Sequence, residues 1–260
     1  MAAPRRARAR RVAPPAPPRR HVVVSIGGSV LFTGEHDARY HRSLAELIPK
    51  WAREFDLVLT TGGGRTAREY IAVGRALGLS EHHLDLLGID VTRLHARLLA
   101  SRVGAPAPTS IPTTVAAAVR AARRTPIVLL GGTEPGHTTD AVAALIAARL
   151  RALRVVNATR VPGLFDRDPR SDPTARRIDA IGWEAFLERV RAATLGRPGE
   201  EYVFDRLGAE TLAEAGIPLY IVDGRDLPNL GEAIRGGFAA GTIVGAPART
   251  DLSRTESAAP

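Results

Sequence analysis

Short runs of apolar residues alternate along the chain with longer segments in which apolar residues recur every three or four positions. The short runs predict buried strands, and the longer segments predict helices with one apolar face. The predicted strands cover residues 21–26, 56–61, 126–130, 154–158 and 217–222, with 241–244 closing the fold. The predicted helices cover 39–55, 79–103, 115–123, 182–194, 205–215 and 227–235, with two more after Gly64 and Thr138. This alternation predicts a three-layer α/β/α sandwich around a mainly parallel sheet.

Glycine-rich turns follow three of the predicted strands directly, at Gly27, Gly62 and Gly131. The carboxyl ends of parallel strands meet at one edge of a sheet, where open α/β sheets bind their ligands. Glycine lets the backbone approach a ligand closely, and the free amides at the start of a following helix attract anions. Several such turns at one edge suit two phosphate-bearing substrates that meet there.

The residues after the third glycine turn admit two interpretations. Thr138, Thr139 and Asp140 stand at the start of a predicted helix, where hydroxyls and first-turn amides would hold a phosphate. The same residue types are common helix caps, and this segment alone would favour the cap. The glycine triplet that begins at Gly62 shifts the balance. Arg68 lies one turn into the helix that follows the triplet, where its guanidinium could clamp a phosphate.

Composition narrows the chemistry further. The 260 residues include no cysteine, which excludes disulfides and thiolate metal sites and fits a reducing compartment such as the cytoplasm. Lys50 is the single lysine among 36 basic residues, and it lies off the apolar stripe of its helix, which predicts a surface position. Because no GxxxxGK[ST] segment is present, phosphate binding must use arginine, backbone amides, helix dipoles and metal. The apolar runs are too short to span a bilayer, so no membrane partner is expected.

The net charge of +9 is concentrated at the amino terminus. Residues 1–20 contain seven arginines and no acidic residue, and subtracting these seven from nine leaves +2 for the rest of the chain. This arginine- and proline-rich segment is too poor in apolar residues to fold, which predicts a disordered tail at 1–20. A second disordered tail is predicted at 247–260. Because the basicity belongs to the tail, we do not expect nucleic acid as a partner.

Seven segments together resemble the amino-acid-kinase superfamily, and most closely its archaeal-type UMP kinase branch. They are SIGGSVL at 25–31, TGGGRTAREYI at 61–71, DLLGIDVTR at 85–93, GGTEPGHTTDAVAAL at 131–145, NATRVPGLFDRDPRSDPTAR at 157–176, FDRLGAETLAEAGI at 204–217 and GTIV at 241–244. The fourth segment is specific, whereas a lone glycine pair or triplet would be a weak signal. The resemblance implies an amino-acid-kinase domain at 21–246, with the acceptor-binding part roughly at 21–150 and the ATP-binding part roughly at 151–246.

The same resemblance implies transfer of the γ-phosphoryl group of ATP to UMP, a step of pyrimidine nucleotide synthesis, by a cytoplasmic homohexamer built from dimers. It places UMP against Gly62, Gly63, Gly64, Arg68, Asp85, Thr133, Thr138 and Thr139. It places ATP against Gly27, Gly28, Ser29, Thr159, Arg160, Phe165 and Asp168. The groups expected to act on the reacting phosphates are Gly28, Arg65, Asp140 and Asp205. Mg²⁺ is expected to arrive bound through ATP, so no protein metal ligand is predicted.

Two alternatives stay open at the level of sequence. One is a kinase of the same fold that acts on another phosphate or carboxylate acceptor. The other is a non-catalytic nucleotide- or oxyanion-binding protein, similar to the molybdenum storage proteins. Ser25 stands where much of the superfamily has a lysine, and Val161-Pro162-Gly163 replaces the usual V-D-G of the ATP loop, which supports the second alternative. The acceptor-side motifs are intact, which favours the UMP kinase.

Overall fold

The computed structural model describes residues 20–34, 37–105, 107, 110–167, 169, 171–194, 204–237 and 240–245. Residues 1–19 and 247–260 of the predicted tails, the predicted loop at 195–201, and Asp168 lie outside the described residues.

Strands and helices alternate along the described chain. The strands are β1 (His21–Ile26), β2 (Asp56–Thr61), β3 (Ile127–Leu130), β4 (Arg154–Thr159), β5 (Leu164–Phe165), β6 (Arg177–Ile178), β7 (Ala180–Ile181), β8 (Leu219–Asp223) and β9 (Gly241–Val244). The helices are α1 (Gly28–Leu31), α2 (Asp37–Trp51), α3 (Gly64–Ala76), α4 (Glu81–Val103), α5 (Val115–Ala122), α6 (Thr139–Leu150), α7 (Trp183–Thr194), α8 (Arg206–Ala215) and α9 (Leu227–Arg235).

Seven strands form one sheet in the order β3-β2-β1-β4-β8-β9-β7. The first five pair in parallel, β9 runs antiparallel to β8, and β7 pairs in parallel with β9. The mainly parallel sheet predicted from the sequence is therefore confirmed. In the register of β1 and β2, Ile26 stands opposite Thr61. The glycines that follow these two strands consequently leave the sheet side by side.

Two apolar clusters cover the two faces of the sheet, as the three-layer prediction requires. Alternate residues of each central strand point to opposite faces. Val23 and Val155 belong to the cluster formed with α5, α6, α7 and α8, whereas Val24 and Val156 belong to the cluster formed with α2, α4 and α9. These strand side chains are at most 1% exposed. Because β1 to β4 are buried on both faces, they appear in the sequence as unbroken apolar runs.

The structure departs from the predicted elements in four places, one of which is β7, a two-residue strand where no element was predicted. The helix expected at 39–55 is α2 and ends earlier, at Trp51. Gly28 starts a one-turn helix, α1, that the hydrophobic pattern of the sequence did not predict. The segment 159–173, expected to be a loop, contains β5, which pairs with β6 in a short antiparallel hairpin. Elements of two to four residues are too short to show a hydrophobic period, which explains why the pattern missed them.

The turns after β1 and β2 are in direct backbone contact. A Cβ atom built on Gly28 would lie 2.1 Å from the Gly64 amide nitrogen and 2.6 Å from the Gly62 carbonyl oxygen. A Cβ atom on Gly64 would lie 2.5 Å from the Gly28 carbonyl carbon, and Gly64 also has a positive φ of 59°. Only glycine fits at these positions because the neighbouring atoms are backbone and cannot rotate away.

Replacing Gly28 with alanine should therefore separate the two turns. We expect Gly28→Ala to lower the free energy of unfolding by about 1–3 kcal/mol, the usual cost of overpacking. Gly27→Ala is the matched control, because its Cβ would lie 3.4 Å from the nearest atom, the Ala158 carbonyl oxygen, and its φ of −57° suits alanine. Denaturant unfolding of both variants checks this, and equal stabilities would contradict the proposed packing constraint.

Candidate active site

A cavity of about 410 Å³ opens at the carboxyl edge of the sheet. Its walls come from α3, α4 and the segment that joins β3 to α6. The predicted site residues that line it are Gly63, Gly64, Arg68, Asp85, Thr138 and Thr139. The structure thus brings together residues from three distant parts of the sequence.

The start of α3 supplies one wall of the cavity. Gly63 is its N-cap residue, and the Arg68 side chain lines the cavity one turn further along. Arg68 has no ion-pair partner among the described residues, so its guanidinium is available to an anion. Gly62 is placed differently, because it is buried and absent from the cavity wall. Its amide donates to the Ile26 carbonyl over 2.8 Å, which anchors the turn to β1.

The start of α6 supplies the opposite wall. Thr138 is the N-cap residue, and its hydroxyl oxygen accepts a hydrogen bond of 3.1 Å from the Ala141 amide. The capping role therefore exists, as the sequence alone favoured. The cap satisfies only one of the free amides at this helix end, because the amides of Thr139 and Asp140 have no hydrogen-bond partner among the described residues. Free first-turn amides on a cavity wall form an anion-binding surface.

Helix α4 supports the segment between β3 and α6 from below. The Thr92 hydroxyl accepts from the Gly132 amide over 2.7 Å and donates to the Ile89 carbonyl over 2.6 Å. The Asp85 carboxylate accepts from the Gly136 amide over 2.8 Å. A Cβ atom on Gly131 would lie 2.5 Å from the Arg93 amide nitrogen. The close approach expected of Gly131 toward a ligand is therefore an approach toward α4 instead.

Asp140 is the most perturbed acid of the site. The Ser25 hydroxyl, at the end of β1, donates to its carboxylate over 2.5 Å. Burial raises the pKa of Asp140 to about 6, the Ser25 hydrogen bond acts in the opposite direction, and the charge of nearby Asp205 adds to the rise. Asp205 caps α8 by accepting from the Gly208 amide over 2.8 Å. The helix predicted at 205–215 is therefore confirmed as α8, with Asp205 as its N-cap residue.

Two buried histidines lie directly behind the glycine turns. Nδ1 of His95 is 2.9 Å from the Gly62 carbonyl oxygen, and Nε2 of His41 is 3.0 Å from the Leu31 carbonyl oxygen. The ring of Phe32 lies against both imidazoles, with centroid distances of 4.1 Å to His95 and 5.0 Å to His41. Burial lowers the pKa of both histidines. The two rings thus hold the turns after β1 and β2 from the inside of the fold.

A second group of predicted residues lies at the carboxyl ends of β4 and β8. Thr159 is the last residue of β4 and Arg160 follows it, and the Thr159 carbonyl accepts from the Gly224 amide over 2.8 Å. Arg225 forms an ion pair with Asp223 and donates to the Arg160 carbonyl. Burial alone would raise the pKa of Asp223, but hydrogen bonds from Arg225 bring it below its usual value.

The segment Val161-Pro162-Gly163 bends into the β5–β6 hairpin. Gly163 has a φ of 123°, a conformation that favours glycine. The buried Thr242 hydroxyl of β9 accepts from the Leu164 amide over 2.7 Å and donates to the Ile178 carbonyl over 2.6 Å. One side chain therefore ties both strands of the hairpin to the edge of the main sheet.

Comparison with known proteins identifies the fold. The model of the amino acid kinase family matches residues 20–223. The uridylate kinase of Methanothermobacter thermautotrophicus is 40% identical over 215 residues, which cover 83% of this chain and 95% of that protein. The uridylate kinase of Thermoplasma acidophilum is 40% identical over 225 residues, covering 86% and 96% of the two chains. The crystal structure of uridylate kinase from Archaeoglobus fulgidus matches with a TM-score of 0.77 and 36% identity, and the match covers 86% of this chain and 99% of that one.

The chain belongs to the amino acid kinase family.

Three further residues considered in the sequence analysis, Arg65, Lys50 and Thr133, lie away from the cavity wall. Arg65, expected near the transferred phosphoryl group, lies outside the cavity wall and pairs with Glu69 over 3.2 Å. Its guanidinium also lies within 3.8 Å of the position that a Cβ of Gly34 would take. Lys50 is exposed, as predicted from its place off the apolar stripe. Thr133 has a buried hydroxyl oxygen with no partner among the described residues, a group that a ligand would satisfy.

Sequence reasoning missed Thr92, His41 and His95 as supports of the site. The available signal for Thr92 is a polar residue on the buried face of a long helix, because such a residue needs a hydrogen-bond partner from another segment. The histidines carry no such signal, because their partners are backbone carbonyls that any residue supplies.

Among the described residues, no helix is long and apolar enough to cross a membrane.

The raised pKa of Asp140 has a consequence for stability. Its pKa in the folded protein lies above the ordinary value of 3.8, so its contribution to stability is complete below pH 4 and is lost as pH rises through about 6. We expect Asp140→Asn, which removes the buried charge, to be more stable than the parent by roughly 1–3 kcal/mol above pH 7. The difference should disappear towards pH 4.

Denaturant unfolding at pH 4.5, 6 and 8 measures this difference. Asp90→Asn is the control, because that side chain is 75% exposed and its charge stays hydrated in the folded protein. A stability difference between Asp140→Asn and the parent that does not change with pH would show that the carboxylate is not held in a charge-disfavouring environment.

Proposed function

We propose that the protein is a UMP kinase, which transfers the γ-phosphoryl group of ATP to the phosphate of UMP and releases UDP and ADP. The observation that carries this proposal is the cavity in which a free arginine, Arg68, faces the open amides at the starts of α3 and α6. The identity of 40% with proteins named uridylate kinase supports UMP as the acceptor.

In this proposal the cavity holds UMP. Arg68, Gly63 and Gly64 bind its phosphate, with Gly62 fixing the turn from behind. Asp85 binds the sugar through the carboxylate oxygen that does not accept from Gly136. Thr133, Thr138 and Thr139 stand between the acceptor phosphate and the phosphoryl group that it receives. A hydroxyl that accepts from an amide can still donate to a phosphate oxygen, so the cap at Thr138 is compatible with this role.

The reaction needs no nucleophile from the protein. An oxygen of the UMP phosphate attacks the γ-phosphorus of ATP, and the bond from that phosphorus to the bridging oxygen of ADP breaks. What the protein supplies is alignment and positive potential. The turn at Gly28 covers the transferred group, and Arg65 must swing away from Glu69 to reach it. Ser25 carries no charge, so arginine takes the place of the lysine found elsewhere in the superfamily.

ATP would bind beside the β5–β6 hairpin and the end of β4. Gly27, Gly28 and Ser29 would contact its terminal phosphates. Thr159, Arg160 and Phe165 would contact the rest of the nucleotide, together with Asp168, which lies outside the described residues. Gly163 has a positive φ of 123° next to Pro162, and the segment leads into the hairpin beside which ATP would bind.

Mg²⁺ would enter with ATP and not through a protein cage. Among the described residues, no three histidines or acids are grouped so that they could hold a metal ion. Mg²⁺ keeps most of its ligands from water and phosphate, so one or two carboxylates suffice. Asp140 and Asp205, which lie close enough to affect each other electrostatically, are the acids that would face it. When bound, the ion would neutralise charge on the ATP phosphates.

The proposal is tested by measuring ADP release from Mg-ATP with UMP, CMP, dUMP, AMP and GMP as acceptors. We expect turnover with UMP to exceed that with the other acceptors at least tenfold. Turnover with a different acceptor would support the first alternative. A protein that binds UMP but transfers no phosphoryl group to any of the five would support a binding function.

Arg68→Ala should weaken acceptor binding selectively. Loss of a charge-assisted bidentate contact to phosphate typically costs about 1.5–3 kcal/mol, so we expect KM for UMP to rise about 10- to 100-fold. KM for ATP should stay within about twofold, since the variant changes only the acceptor side. Arg75→Ala is the control from the same helix, because Arg75 pairs with Glu81 at the surface. An unchanged KM for UMP in Arg68→Ala would remove Arg68 from the proposed site.

We also propose that the protein self-associates through α3, in line with the expected homohexamer of dimers. Tyr70, Val73 and Leu77 form one stripe along this helix and are 57%, 61% and 74% exposed. Neighbouring apolar residues exposed to this extent on one helix face are typical of an interface. The stripe faces away from the cavity, so association would leave the acceptor site open.

Charged substitutions on the stripe should dissociate the assembly. We expect Val73→Glu combined with Leu77→Glu to give a smaller particle than the parent in light scattering coupled to size-exclusion chromatography. Leu207→Glu on α8 is the control, since Leu207 is 40% exposed but has no such stripe around it. A parent that is already monomeric, or a double variant of unchanged mass, would contradict the proposed interface.

A further inference from the structure

Arg93 of α4 binds three backbone carbonyls at the edge of the cavity. Its Nε donates to the Gly132 carbonyl over 3.1 Å, and its Nη2 donates to the Thr133 carbonyl over 3.0 Å and the Thr113 carbonyl over 3.3 Å. The nearest acid, Asp90, is 3.7 Å away and 75% exposed. The guanidinium of this half-buried side chain is thus used mainly on backbone oxygens and not in an ion pair.

The direction of those carbonyls fixes the direction of two amides. In a trans peptide, the N–H of the next residue points opposite to the C=O. Since the carbonyls of Gly132 and Thr133 point at Arg93, the amides of Thr133 and Glu134 point away from it. Neither amide has a hydrogen-bond partner among the described residues. Gly132 and Glu134 line the cavity whereas Arg93 does not, so the free amides are directed to the cavity side.

We propose that Arg93 is a positioning residue, which aims the free amides of Thr133 and Glu134 at the acceptor phosphate without touching it. Two consecutive N–H groups that face one point form an anion-binding nest. Arg93 also places a positive charge at the negative ends of both peptide dipoles, which strengthens their field at the phosphate. Thr92 completes the arrangement by fixing the Gly132 amide from the same helix. This proposal rests on the proposed phosphate-bearing acceptor and adds a residue to its binding site.

Arginine at this position is required by geometry as well as by charge. One planar guanidinium reaches Gly132, Thr133 and Thr113 at once, whereas a lysine ammonium acts as a single point charge. The absence of a Cβ on Gly131 lets the segment sit close enough to α4 for these bonds to form. Gly131 and Arg93 therefore act together, because Gly131 has no Cβ to hold the segment away from α4 and Arg93 supplies the hydrogen-bond donors.

The test compares Arg93→Met, Arg93→Lys and the control Arg97→Met by calorimetric UMP binding, steady-state kinetics and thermal unfolding. Arg97 lies one turn along α4 and is exposed. We expect Arg93→Met to raise both Kd and KM for UMP about tenfold or more, with KM for ATP unchanged. Arg93→Lys should show a smaller rise, and Arg97→Met should match the parent. Guanidinium ion at millimolar concentration should partly restore UMP affinity to Arg93→Met and have no such effect on the parent.

Other outcomes would overturn the inference. Unchanged UMP affinity in Arg93→Met would do so, and so would an equal loss of UMP and ATP affinity with lowered thermal stability, which is the result of a merely structural role. If Arg93→Met does not fold, Arg93→Lys decides, and parental UMP affinity in that variant counts against the proposal. If the parent itself does not bind UMP, the proposed acceptor is wrong. Inorganic phosphate is then the probe, and equal phosphate affinity of parent and variant would overturn the role of Arg93.

Discussion

The architecture of the site depends on one steric constraint, the contact between the backbones that leave β1 and β2. Gly28 and the Gly62–Gly64 triplet approach so closely that no side chain fits between them. Parallel register brings both turns to one edge, and the absence of Cβ atoms lets them meet. The phosphates of two nucleotides repel each other, so a kinase of this kind needs a scaffold that brings their binding loops together and holds them there. In the proposed function, the two turns in contact would supply that scaffold.

Support for these turns comes from behind, through groups that do not face the cavity. His95 and Arg93 contact the carbonyl oxygens of Gly62, Gly132 and Thr133, and the amides that follow these carbonyls have no hydrogen-bond partner among the described residues. His41 contacts the Leu31 carbonyl oxygen at the end of α1. Carbonyl oxygens must point away from a bound phosphate because their partial negative charge would repel it, whereas amide N–H groups attract it. Asp140 differs from these supporting groups, because its buried side chain is a carboxylate that accepts a hydrogen bond from the Ser25 hydroxyl. Burial raises the pKa of this carboxylate, and acids perturbed in this way cluster at functional sites.

Unbroken apolar runs predicted the main strands, helical periodicity predicted the long helices, and the alternation of the two predicted the parallel sheet. These patterns missed α1, β5 and β6, which are two to four residues long. Residue type and place in the chain predicted that Gly63, Gly64, Arg68 and the start of α6 would meet, and the cavity brings them together. The sequence could not show which groups support them, since the roles of Thr92 and Arg93 arise from packing between segments 40 residues apart. It also could not show that Gly131 approaches α4, because a glycine indicates a close backbone contact but does not indicate whether the contact is with a ligand or with another segment.

The single lysine has a chemical consequence of its own. Lys50 is exposed near the end of α2, just before the chain enters β2, and therefore at the edge of the sheet opposite the cavity. Among side chains, Lys50 is the one amine that acylating reagents and enzymes would modify, and they would leave the arginines around the cavity intact. In the proposed function the cationic side chains that face phosphate are arginines, so lysine modification does not change their charge. A fluorophore or surface tether could therefore be attached at Lys50 without occupying the proposed nucleotide sites.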